Sequence, residues 1–329
     1  MPLSHQSAAN GNLLNKMRVI GIGETVLDIL FKNEVPVSAN PGGSTFNAMI
    51  SVGRTAAKMY PDVSVKMISE TGSDHIGDII VSFLEENNVS ADNVVRNKGT
   101  QSHLSIAFLD NNNDADYEFY KDHDHAFIPE EVLSKVKFDD GAIVVFGSYF
   151  SINPKIRPFT LSLLKAARSA GAILYYDVNF RKNHLKDLSE TLKNVEENFR
   201  LADFVRGSVE DFSILFGTSN PSEIYHKHIS PYCANFICTC GADPVHVFTP
   251  SSYMTFEVEP IEPLSTVGAG DNFNAGFVFG LIKEGVRNTD CRSLEPAVWS
   301  RIVRVAGLFS SESCSRIENY VGEDFWKTL

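Results

Sequence analysis

Features that would assign this chain of 329 residues to a class at once are missing from it. There is no G-x-x-x-x-G-K-[S/T] phosphate loop, since the closest run, 280–285, is followed by Val286. The net charge is −12, whereas proteins that bind a nucleic-acid backbone cluster their lysines and arginines. No apolar run approaches the roughly 18–20 residues that cross a bilayer. We therefore expect neither nucleic acid nor a membrane as a partner, and any nucleotide must be bound by another route.

Cysteine is scarce and poorly spaced for a metal site or a disulfide framework. Of the five cysteines, Cys238 and Cys240 are separated by one residue, and no second pair has the spacing of a zinc site. Residues 1–16 lack the basic start and apolar core of a secretion signal. We expect reduced, partly buried thiols in a cytoplasmic protein, with a disordered leader over residues 1–16. A metal or disulfide role for the cysteine pair is the minor alternative.

What the sequence does contain is a regular alternation of strand and helix patterns. Apolar residues make up 43% and charged residues 21%, as is typical of a soluble globular protein. Strands predicted at 142–146, 172–176 and 202–206 alternate with helices predicted at 157–170 and 188–200. This alternation predicts an α/β fold, a doubly wound, mainly parallel sheet flanked by helices, in a single domain over 17–329.

Two runs of alternating residues stand apart from this rhythm. Residues 102–109 and 115–120 alternate apolar with polar side chains around a short polar turn, which predicts a β-hairpin. Together with an extended excursion early in the chain, they predict a small β-sheet lid with strands from about 29–39 and 94–122. Exposed strand edges invite pairing, so the lid also predicts a homodimer.

The most informative stretch is 265–276, where small residues lead into an apolar run. If Gly268, Ala269 and Gly270 open a helix, their N–H groups lie at its positive end and can bind an anion. Asp271 would then lie one residue inside that site. A carboxylate there would repel a phosphate, so its presence favours a role of its own. The obvious role is to accept a proton from the attacking hydroxyl group. The plain alternative is a glycine turn in which Asp271 caps the helix.

Two further segments place polar groups where ligands bind in parallel sheets, at the carboxyl ends of strands. The glycine pair 42–43 precedes Asn47, whose side chain offers both a donor and an acceptor and so suits two neighbouring hydroxyl groups. The alternative is a glycine turn with a buried asparagine. Asp177, Asn179 and Arg181 are alternate residues, so their side chains share one face if the backbone stays extended.

Together these segments resemble the ribokinase-like (PfkB) family of carbohydrate kinases, and fructokinases most of all, over about residues 17–315. Residues 42–48, GGSTFNA, look like the family's first signature, in which a glycine pair precedes an asparagine. Residues 266–273, TVGAGDNF, look like the second signature, D-T-x-G-A-G-D-x-F. The two stand in the family's order, and the second is highly specific.

The resemblance implies a mainly parallel sheet between helices, with a small β lid over the sugar. It implies transfer of the γ-phosphoryl group of ATP, with Mg²⁺, to a hydroxyl group of a small carbohydrate, either a fructose-like sugar or a sugar acid. Mg²⁺ would be held mainly through phosphates and water, with Asp211 or Glu210 as the carboxylate of the metal site. The other implied roles are a base at Asp271, an anion hole at Gly268, Ala269 and Gly270, sugar contacts at Asp28, Gly43 and Asn47, and nucleotide contacts at Asn179, Arg181, Ser208, Thr239 and Gly241.

The chain departs from the family pattern at three places. Ser265 stands where the family has an aspartate that helps to bind a monovalent cation, which puts a role for K⁺ in doubt. Ser208 and Asp211 stand where the family has N-x-x-E, and the shorter carboxylate reaches a metal's water shell less well. Pro244 replaces the last glycine of the nucleotide loop and restricts the backbone there. None of these changes removes the base or the anion hole.

Two other functions stay open at this point. A nucleoside kinase of the same fold would need an aromatic or apolar pocket for the base, which Phe46, Phe119 and Tyr120 could supply, although packing in the core or lid is the simpler role for them. A catalytically silent, sugar-binding regulatory protein is motivated by the three departures. The intact segment 268–271 argues against it.

Overall fold

The computed structural model describes residues 17–109, 115–121, 132 and 135–329. The leader (1–16) and the hairpin turn (110–114) that the sequence predicts lie outside the described residues. The described strands form one nine-stranded and one four-stranded sheet. The predicted doubly wound, mainly parallel sheet flanked by helices, with a smaller sheet beside it, is confirmed.

The strands are bounded as follows: β1 Arg18–Ile22, β2 Val26–Lys32, β3 Val35–Gly42, β4 Ser64–Gly72, β5 Val89–Asn97, β6 Leu104–Leu109, β7 Ala115–Tyr120, β8 Ala142–Gly147, β9 Ile173–Asp177, β10 Phe204–Ser208, β11 Asn235–Cys240, β12 Asp243–Phe248 and β13 Tyr253–Phe256. The α-helices are α1 Ser44–Met59, α2 His75–Glu86, α3 Ser148–Ile152, α4 Arg157–Ser169, α5 Leu188–Leu201, α6 Val209–Phe216, α7 Pro221–Ile224, α8 Ala269–Glu284 and α9 Pro296–Cys314.

The nine-stranded sheet has the order β13-β12-β11-β10-β9-β8-β1-β4-β5. Every neighbouring pair from β11 to β5 is parallel, and the β11–β12 and β12–β13 pairs are antiparallel. The chain leaves β1 toward β4 on one side and later returns to β8 on the other side. The strand order therefore reverses at β1, and ligands bind in the crevice that such a reversal opens at the carboxyl ends of the strands.

Each face of this sheet has its own hydrophobic core, because alternate residues of a strand point to opposite faces. Tyr175 and Phe204 pack in one core with residues of α1, α8 and α9, whereas Tyr176 and Val205 pack in the other with α4, α5 and α6. Residues of α8 from Asn272 through Ile282 are buried. This helix is a central element of its core, so its N-terminus is held in place by packing.

The four-stranded sheet, called the lid below, has the order β3-β2-β6-β7. Within it β2 pairs antiparallel with β3 and parallel with β6, and β6 pairs antiparallel with β7. One boundary predicted for the lid was wrong. Residues 94–97 belong to β5, which pairs with β4 at the edge of the large sheet.

Two predictions from composition can be compared with the described residues. All five cysteines are free; four of them are buried and Cys240 is half-buried. Within the described ranges, no helix combines the length and the apolar character that a membrane span requires.

Candidate active site

Polar side chains collect at the carboxyl ends of the central strands, beside the N-terminus of α8. Asp28 comes from the lid, Asn47 from α1, Asp177 from the end of β9 and Arg206 from β10. Asp271 lies in the first turn of α8. Hydrogen bonds and charge interactions join these residues into one site, although they are up to 243 positions apart (28 to 271) in the sequence.

The N-terminus of α8 has the geometry of an anion hole. Gly268 precedes the helix with φ of 80°, a left-handed conformation that glycine adopts without strain. A Cβ atom there would lie 3.0 Å from the carbonyl oxygen of Asn319. Among the described residues, the N–H groups of Gly270 and Asp271 donate no hydrogen bond. These two donors and the positive end of the helix dipole can bind a phosphoryl group.

Asp271 is half-buried in the first turn of α8 and directed toward α1. Its Oδ2 accepts a hydrogen bond of 2.8 Å from Nδ2 of Asn47. Burial raises the pKa of Asp271 above its ordinary value, hydrogen bonds from Asn47 and Ser44 lower it, and the charge of Asp177 raises it. The net increase makes this carboxylate a stronger proton acceptor than one in water.

Arg206 lies against the anion hole, and the sequence reasoning missed it. Its Nη1 donates to Oδ1 of Asp177 at 3.0 Å, and its Nη2 donates to Oγ1 of Thr239 at 2.6 Å. A Cβ atom at Gly270 would lie 3.0 Å from both of these nitrogens. Burial opposes the charge of Arg206, but Asp177, together with Tyr175 and Asp211, outweighs it, and the pKa is raised. The sequence feature that could have indicated it is a single charged residue within a short, buried strand.

Asp28 projects from β2 into a cleft between the lid and segment 315–321. Burial raises its pKa to about 7, hydrogen bonds from Ser105 and Asn319 oppose the increase, and the charge of Asp271 adds to it. A Cβ atom at Gly42 would lie 1.9 Å from Oδ2 of Asp28, so only glycine leaves room for this carboxyl group. Asp28 can therefore contact a hydroxyl group in a site that also contains Asp271.

Asn47 and Gly43 shape the adjoining part of the site. Gly43 caps α1 with φ of 121°, and a Cβ atom there would lie 2.4 Å from the carbonyl oxygen of Glu24. Asn47 is 3% exposed. While its Nδ2 donates to Asp271, its Oδ1 has no partner among the described residues. A buried acceptor without a partner costs free energy, so a hydroxyl group of a ligand would stabilise it.

The residues predicted to contact the nucleotide lie along the neighbouring strand ends. Thr239 is fixed by Arg206, and Gly241 is exposed with φ of 66°. Asn179 has φ of 36° and donates through Nδ2 to Oγ of Ser148 at 2.7 Å. The backbone is therefore not extended at Asn179. The condition under which Asp177, Asn179 and Arg181 would share one face is thus not met. Arg181 is exposed, and its charge still lowers the pKa of both Asp271 and Asp211.

Ser208 and Asp211 form the cap of α6. Ser208 Oγ accepts from the N–H of Asp211, while Asp211 Oδ2 accepts from the N–H and the hydroxyl group of Ser208, and Oδ1 accepts from the N–H of Phe180. Glu210 is exposed beside them. In the described part of the chain, no group of three or more His, Cys, Asp or Glu residues could hold a metal ion. This donor set fits Mg²⁺ held through phosphates and water better than a protein cage.

Segment 315–321 contributes a residue that no sequence pattern indicated. Asn319 Nδ2 donates to Oδ2 of Asp28 at 3.3 Å, and its backbone adjoins Gly268. The segment is anchored by Arg54, whose Nη1 donates to the carbonyl oxygen of Val321 at 2.7 Å. Ser265, where the family has an aspartate, is buried and accepts a hydrogen bond of 3.2 Å from the N–H of Val267.

Comparison with known proteins shows the family to which the chain belongs. Residues 22–315 match the model described as pfkB family carbohydrate kinase. The fructokinase of Vibrio alginolyticus is 24% identical over 281 residues, 85% of this chain and 87% of that protein. The probable fructokinase-6, chloroplastic, of Arabidopsis thaliana is 24% identical over 289 residues, 84% of this chain and 73% of that protein.

Solved structures support the fold. Fructokinase from Vibrio cholerae O395, bound to fructose, ADP and calcium, has a TM-score of 0.80 at 20% identity, with 93% of this chain and 95% of that chain covered. Aminoimidazole riboside kinase from Salmonella enterica, with aminoimidazole riboside and an ATP analogue, has a TM-score of 0.80 at 19% identity, with 94% and 99% covered. Because the family model spans nearly the whole chain, this protein belongs to the pfkB family and is a carbohydrate kinase.

Proposed function

We propose that this kinase transfers the γ-phosphoryl group of ATP to a hydroxyl group of a small carbohydrate, a fructose-like sugar or a sugar acid. The observation that carries the proposal is the position of Asp271, at the N-terminus of α8 and bonded to Asn47. A proton acceptor and an anion hole within one helical turn are what transfer to a hydroxyl group requires. The curated relatives named fructokinase support the sugar class.

The sugar would bind between the lid and α1. Asp28 would accept hydrogen bonds from sugar hydroxyl groups, and Oδ1 of Asn47 would gain the partner it lacks among the described residues. Gly42 and Gly43 allow the chain to approach closely, since side chains there would collide with Asp28 and Glu24. The reacting hydroxyl group would then lie near Asp271. Such fixed placement accelerates a reaction by removing the entropy cost of bringing the groups together.

The first turn of α8 would both accept the proton and stabilise the negative charge that develops during transfer. The carboxylate of Asp271 would take the proton of the attacking hydroxyl group. The N–H groups of Gly270 and Asp271, with the nearby charge of Arg206, would stabilise the negative charge on the transferring group. These donors are fixed by the packing of α8 before any ligand binds, so little reorganisation is needed.

ATP would lie along the strand ends beyond the anion hole, near Thr239, Gly241, Asn179, Arg181 and Ser208. When bound, Mg²⁺ supplies neutralisation of the charge on the phosphates. Asp211 or Glu210 would contact the water shell of this ion. Direct binding of the ion by Asp211 is not expected, because its oxygens already accept hydrogen bonds in the cap of α6.

Release of ADP from ATP and Mg²⁺ across free sugars, sugar acids, sugar phosphates and nucleosides tests the proposal. We expect turnover on a ketose or a sugar acid. Nucleotide binding without turnover on any of these compounds would contradict the proposal and favour a silent, sugar-binding regulator.

A nucleoside kinase is the second candidate, and Phe119 is the observation that favours it. In the β6–β7 register Phe119 is opposite Ser105, the residue that hydrogen-bonds Asp28, and it is 42% exposed. An aromatic ring on the cleft side of the lid could stack on a base. Phe119→Ala should then weaken turnover of a nucleoside at least tenfold and leave that of fructose nearly unchanged. Equal effects on both would remove this candidate.

We also expect two copies of the chain to associate through the lid. Asp28 points to the cleft, so the neighbouring residues of β2 point away from it and pair with apolar residues of β6. The β2–β6 part of this outward face is apolar and only partly buried, and a second copy with the same face could cover it. The paired residues are Leu27 with Leu104, Ile29 with Ile106 and Phe31 with Phe108.

Sedimentation of two matched variants tests the association. Phe108 on the lid and Ile79 on α2 are each 39% exposed. Phe108→Glu should shift the protein toward monomer, because a charge in an apolar contact is costly, and Ile79→Glu should not. A wild-type protein that stays monomeric at high concentration would contradict the association.

The remaining expectations concern the monovalent cation and the location of the protein in the cell. Because Ser265 replaces the family's aspartate, we expect equal turnover in potassium and sodium buffers; strong activation by K⁺ would contradict this. The free cysteines are compatible with the cytoplasm, which we propose as the location.

A further inference from the structure

Asn272 connects the anion hole to the segment that follows α9. It is 0% exposed and follows Asp271 in the first turn of α8. Its Nδ2 donates to the carbonyl oxygen of Gly268 at 2.9 Å and to that of Asn319 at 2.8 Å. One amide group therefore satisfies carbonyl groups from two segments that are 51 residues apart (268 to 319).

The other end of the Asn272 amide is also fixed. Its Oδ1 accepts a hydrogen bond of 2.5 Å from Oγ of Ser51 on α1, and that Oγ in turn accepts from the N–H of Val321 at 3.2 Å. Every hydrogen-bonding atom of the Asn272 amide thus has a partner. Fully satisfied buried networks of this kind hold one arrangement, because any alternative leaves a buried polar group without a partner.

The peptide group between Gly268 and Ala269 needs such a restraint. Glycine with φ of 80° adopts other backbone conformations at little cost, so this peptide could rotate. The backbone N–H and the side-chain Nδ2 of Asn272 both donate to the Gly268 carbonyl oxygen, at 2.9 Å each. This carbonyl group is thereby kept toward the helix and away from the face on which Gly270 and Asp271 present their N–H groups.

Asn319 extends the network to the sugar side. Its carbonyl oxygen accepts from Asn272, while its Nδ2 donates to Oδ2 of Asp28 at 3.3 Å. Asp28 is thus connected to the anion hole by two asparagines. The anion hole and the sugar-binding carboxyl group are therefore both connected to the buried amide of Asn272.

We infer that Asn272 is a positioning residue for phosphoryl transfer, which keeps the anion hole formed and in register with the sugar-binding carboxyl group through Asn319. This inference rests on the proposed roles of the anion hole and Asp28. Asn272 acts through the backbone of Gly268 and through Asn319, and has no contact with substrate of its own. Its loss should lower kcat much more than it changes the KM for the sugar.

The chain offers a matched control in Asn235. It is 1% exposed, and its Nδ2 also donates to two carbonyl oxygens, those of Asp203 at 3.0 Å and Cys291 at 2.8 Å. Asn235 begins β11 and so lies at the amino edge of the sheet, opposite the site. Asn235→Ala should cost similar stability and leave kcat within twofold.

The test compares Asn272→Ala, Ser51→Ala and Asn235→Ala with the wild-type protein on the sugar that turns over. We expect kcat to fall about tenfold or more in Asn272→Ala, with the KM within threefold. Ser51→Ala keeps both amide donors and is the milder variant, should Asn272→Ala fold poorly; we expect it to lose about threefold in kcat. Equal kcat in the Asn272 and Asn235 variants, or a change confined to KM, would overturn the inference.

A second readout does not depend on sugar turnover. ADP with Mg²⁺ and aluminium fluoride mimics the transferring phosphoryl group, and its affinity reports the anion hole directly. We expect it to bind about tenfold more weakly to Asn272→Ala than to Asn235→Ala. If no sugar is phosphorylated but this difference appears, the proposed substrate class is wrong and the positioning role stands. Equal affinities overturn the positioning role whatever the substrate is.

Discussion

The two sides of the site are built differently. On the phosphoryl side, Arg206 and Asn272 are buried and have hydrogen-bonding partners on several segments, and the half-buried first turn of α8 lies against them. On the sugar side, Asp28 is carried by a four-stranded lid whose strands are largely half-buried or exposed. The chemical step therefore depends on a region that packing holds rigid. Recognition of the sugar depends on a region with few buried contacts, where side chains can differ without loss of the fold.

This difference predicts that changes on the two sides affect different kinetic constants. Damage to the phosphoryl side should lower kcat, because its donors act on charge that develops during transfer. Damage to the lid side should raise the KM, because its groups contact the ground state and the transition state alike. Substitution of single glycines can test this, since glycines border both sides.

Among the glycine substitutions, the largest effect should come from the N-terminus of α8. Gly268 and Gly285 flank this helix, and both have a left-handed backbone, with φ of 80° and 65°. Alanine at either position costs about 1–2 kcal/mol in strain. Only Gly268→Ala also pushes on Asn319, since its Cβ would lie 3.0 Å from the carbonyl oxygen, whereas nothing lies within 4 Å at Gly285. We expect kcat to fall about 100-fold in Gly268→Ala.

Gly285→Ala is the control for that variant. It should lower thermal stability by a similar amount and leave kcat and KM unchanged, as steady-state kinetics and thermal unfolding can show. If both variants lost kcat equally, strain in α8 rather than the shape of the anion hole would explain the loss.

A smaller effect should follow on the sugar side from Gly42→Ala. A Cβ atom there would lie 1.9 Å from Oδ2 of Asp28, so the carboxyl group must move away from the sugar. Loss of one hydrogen bond to this group should raise the KM for the sugar about tenfold with a lesser change in kcat. Gly307→Ala on α9, where a Cβ atom meets nothing within 4 Å, should leave both constants unchanged. A fall in kcat alone for Gly42→Ala would break the proposed division between the two sides.

The smallest effect concerns stability and pH. The pKa of Asp28 is about 7 in the folded protein against an ordinary 3.8, so between these values only the unfolded chain is ionised. The native state then binds more protons, and stability falls as pH rises from about 4 to about 7. The full difference corresponds to about 4 kcal/mol, and partial exposure of the group reduces the expected cost to about 1–2 kcal/mol. Asp28→Asn should therefore be more stable than wild type at pH 8 and bind the sugar more weakly.

Asp74 gives the opposite sign and serves as the control. Burial tends to raise its pKa, but hydrogen bonds from Ser102 and Gly77 at the cap of α2 lower it overall. Its stabilisation is therefore present above its ordinary pKa and is lost in acid. Asp74→Asn should be less stable than wild type at pH 8, as chemical denaturation at pH 4, 6 and 8 can measure. A gain in stability for both variants would contradict the explanation from burial.

The sequence predicted the elements of the large sheet and their order along the chain well. A short continuous apolar run was enough to predict β8 as a buried strand, and apolar residues at helical spacing were enough to predict α4. The sequence pattern did not suffice for residues 94–97. An edge strand of a large sheet and a strand of a small lid are both half-buried, so their sequence patterns are alike. Only the pairing of residues 94–97 with β4 in the folded chain distinguishes the two.

The site was predictable where local sequence and function coincide. Gly268 and Asp271 are neighbours in one motif, and both lie at the N-terminus of a helix as expected. Arg206 and Asn319 were missed because their roles arise from contacts with segments at least 29 residues away. Asp211 was predicted from its place in a pattern, but its oxygens are occupied by a helix cap that the pattern does not reveal.

The most direct test of the account is the rate of phosphoryl transfer by Asp271→Asn. Asparagine has nearly the same shape and can keep the contact with Asn47, but it accepts no proton at neutral pH. We expect kcat to fall about 10³-fold, with folding and ADP affinity near those of wild type. A kcat within tenfold of wild type would contradict the account, because Asp271 would then not be the base and the anion hole would have to be assigned another role.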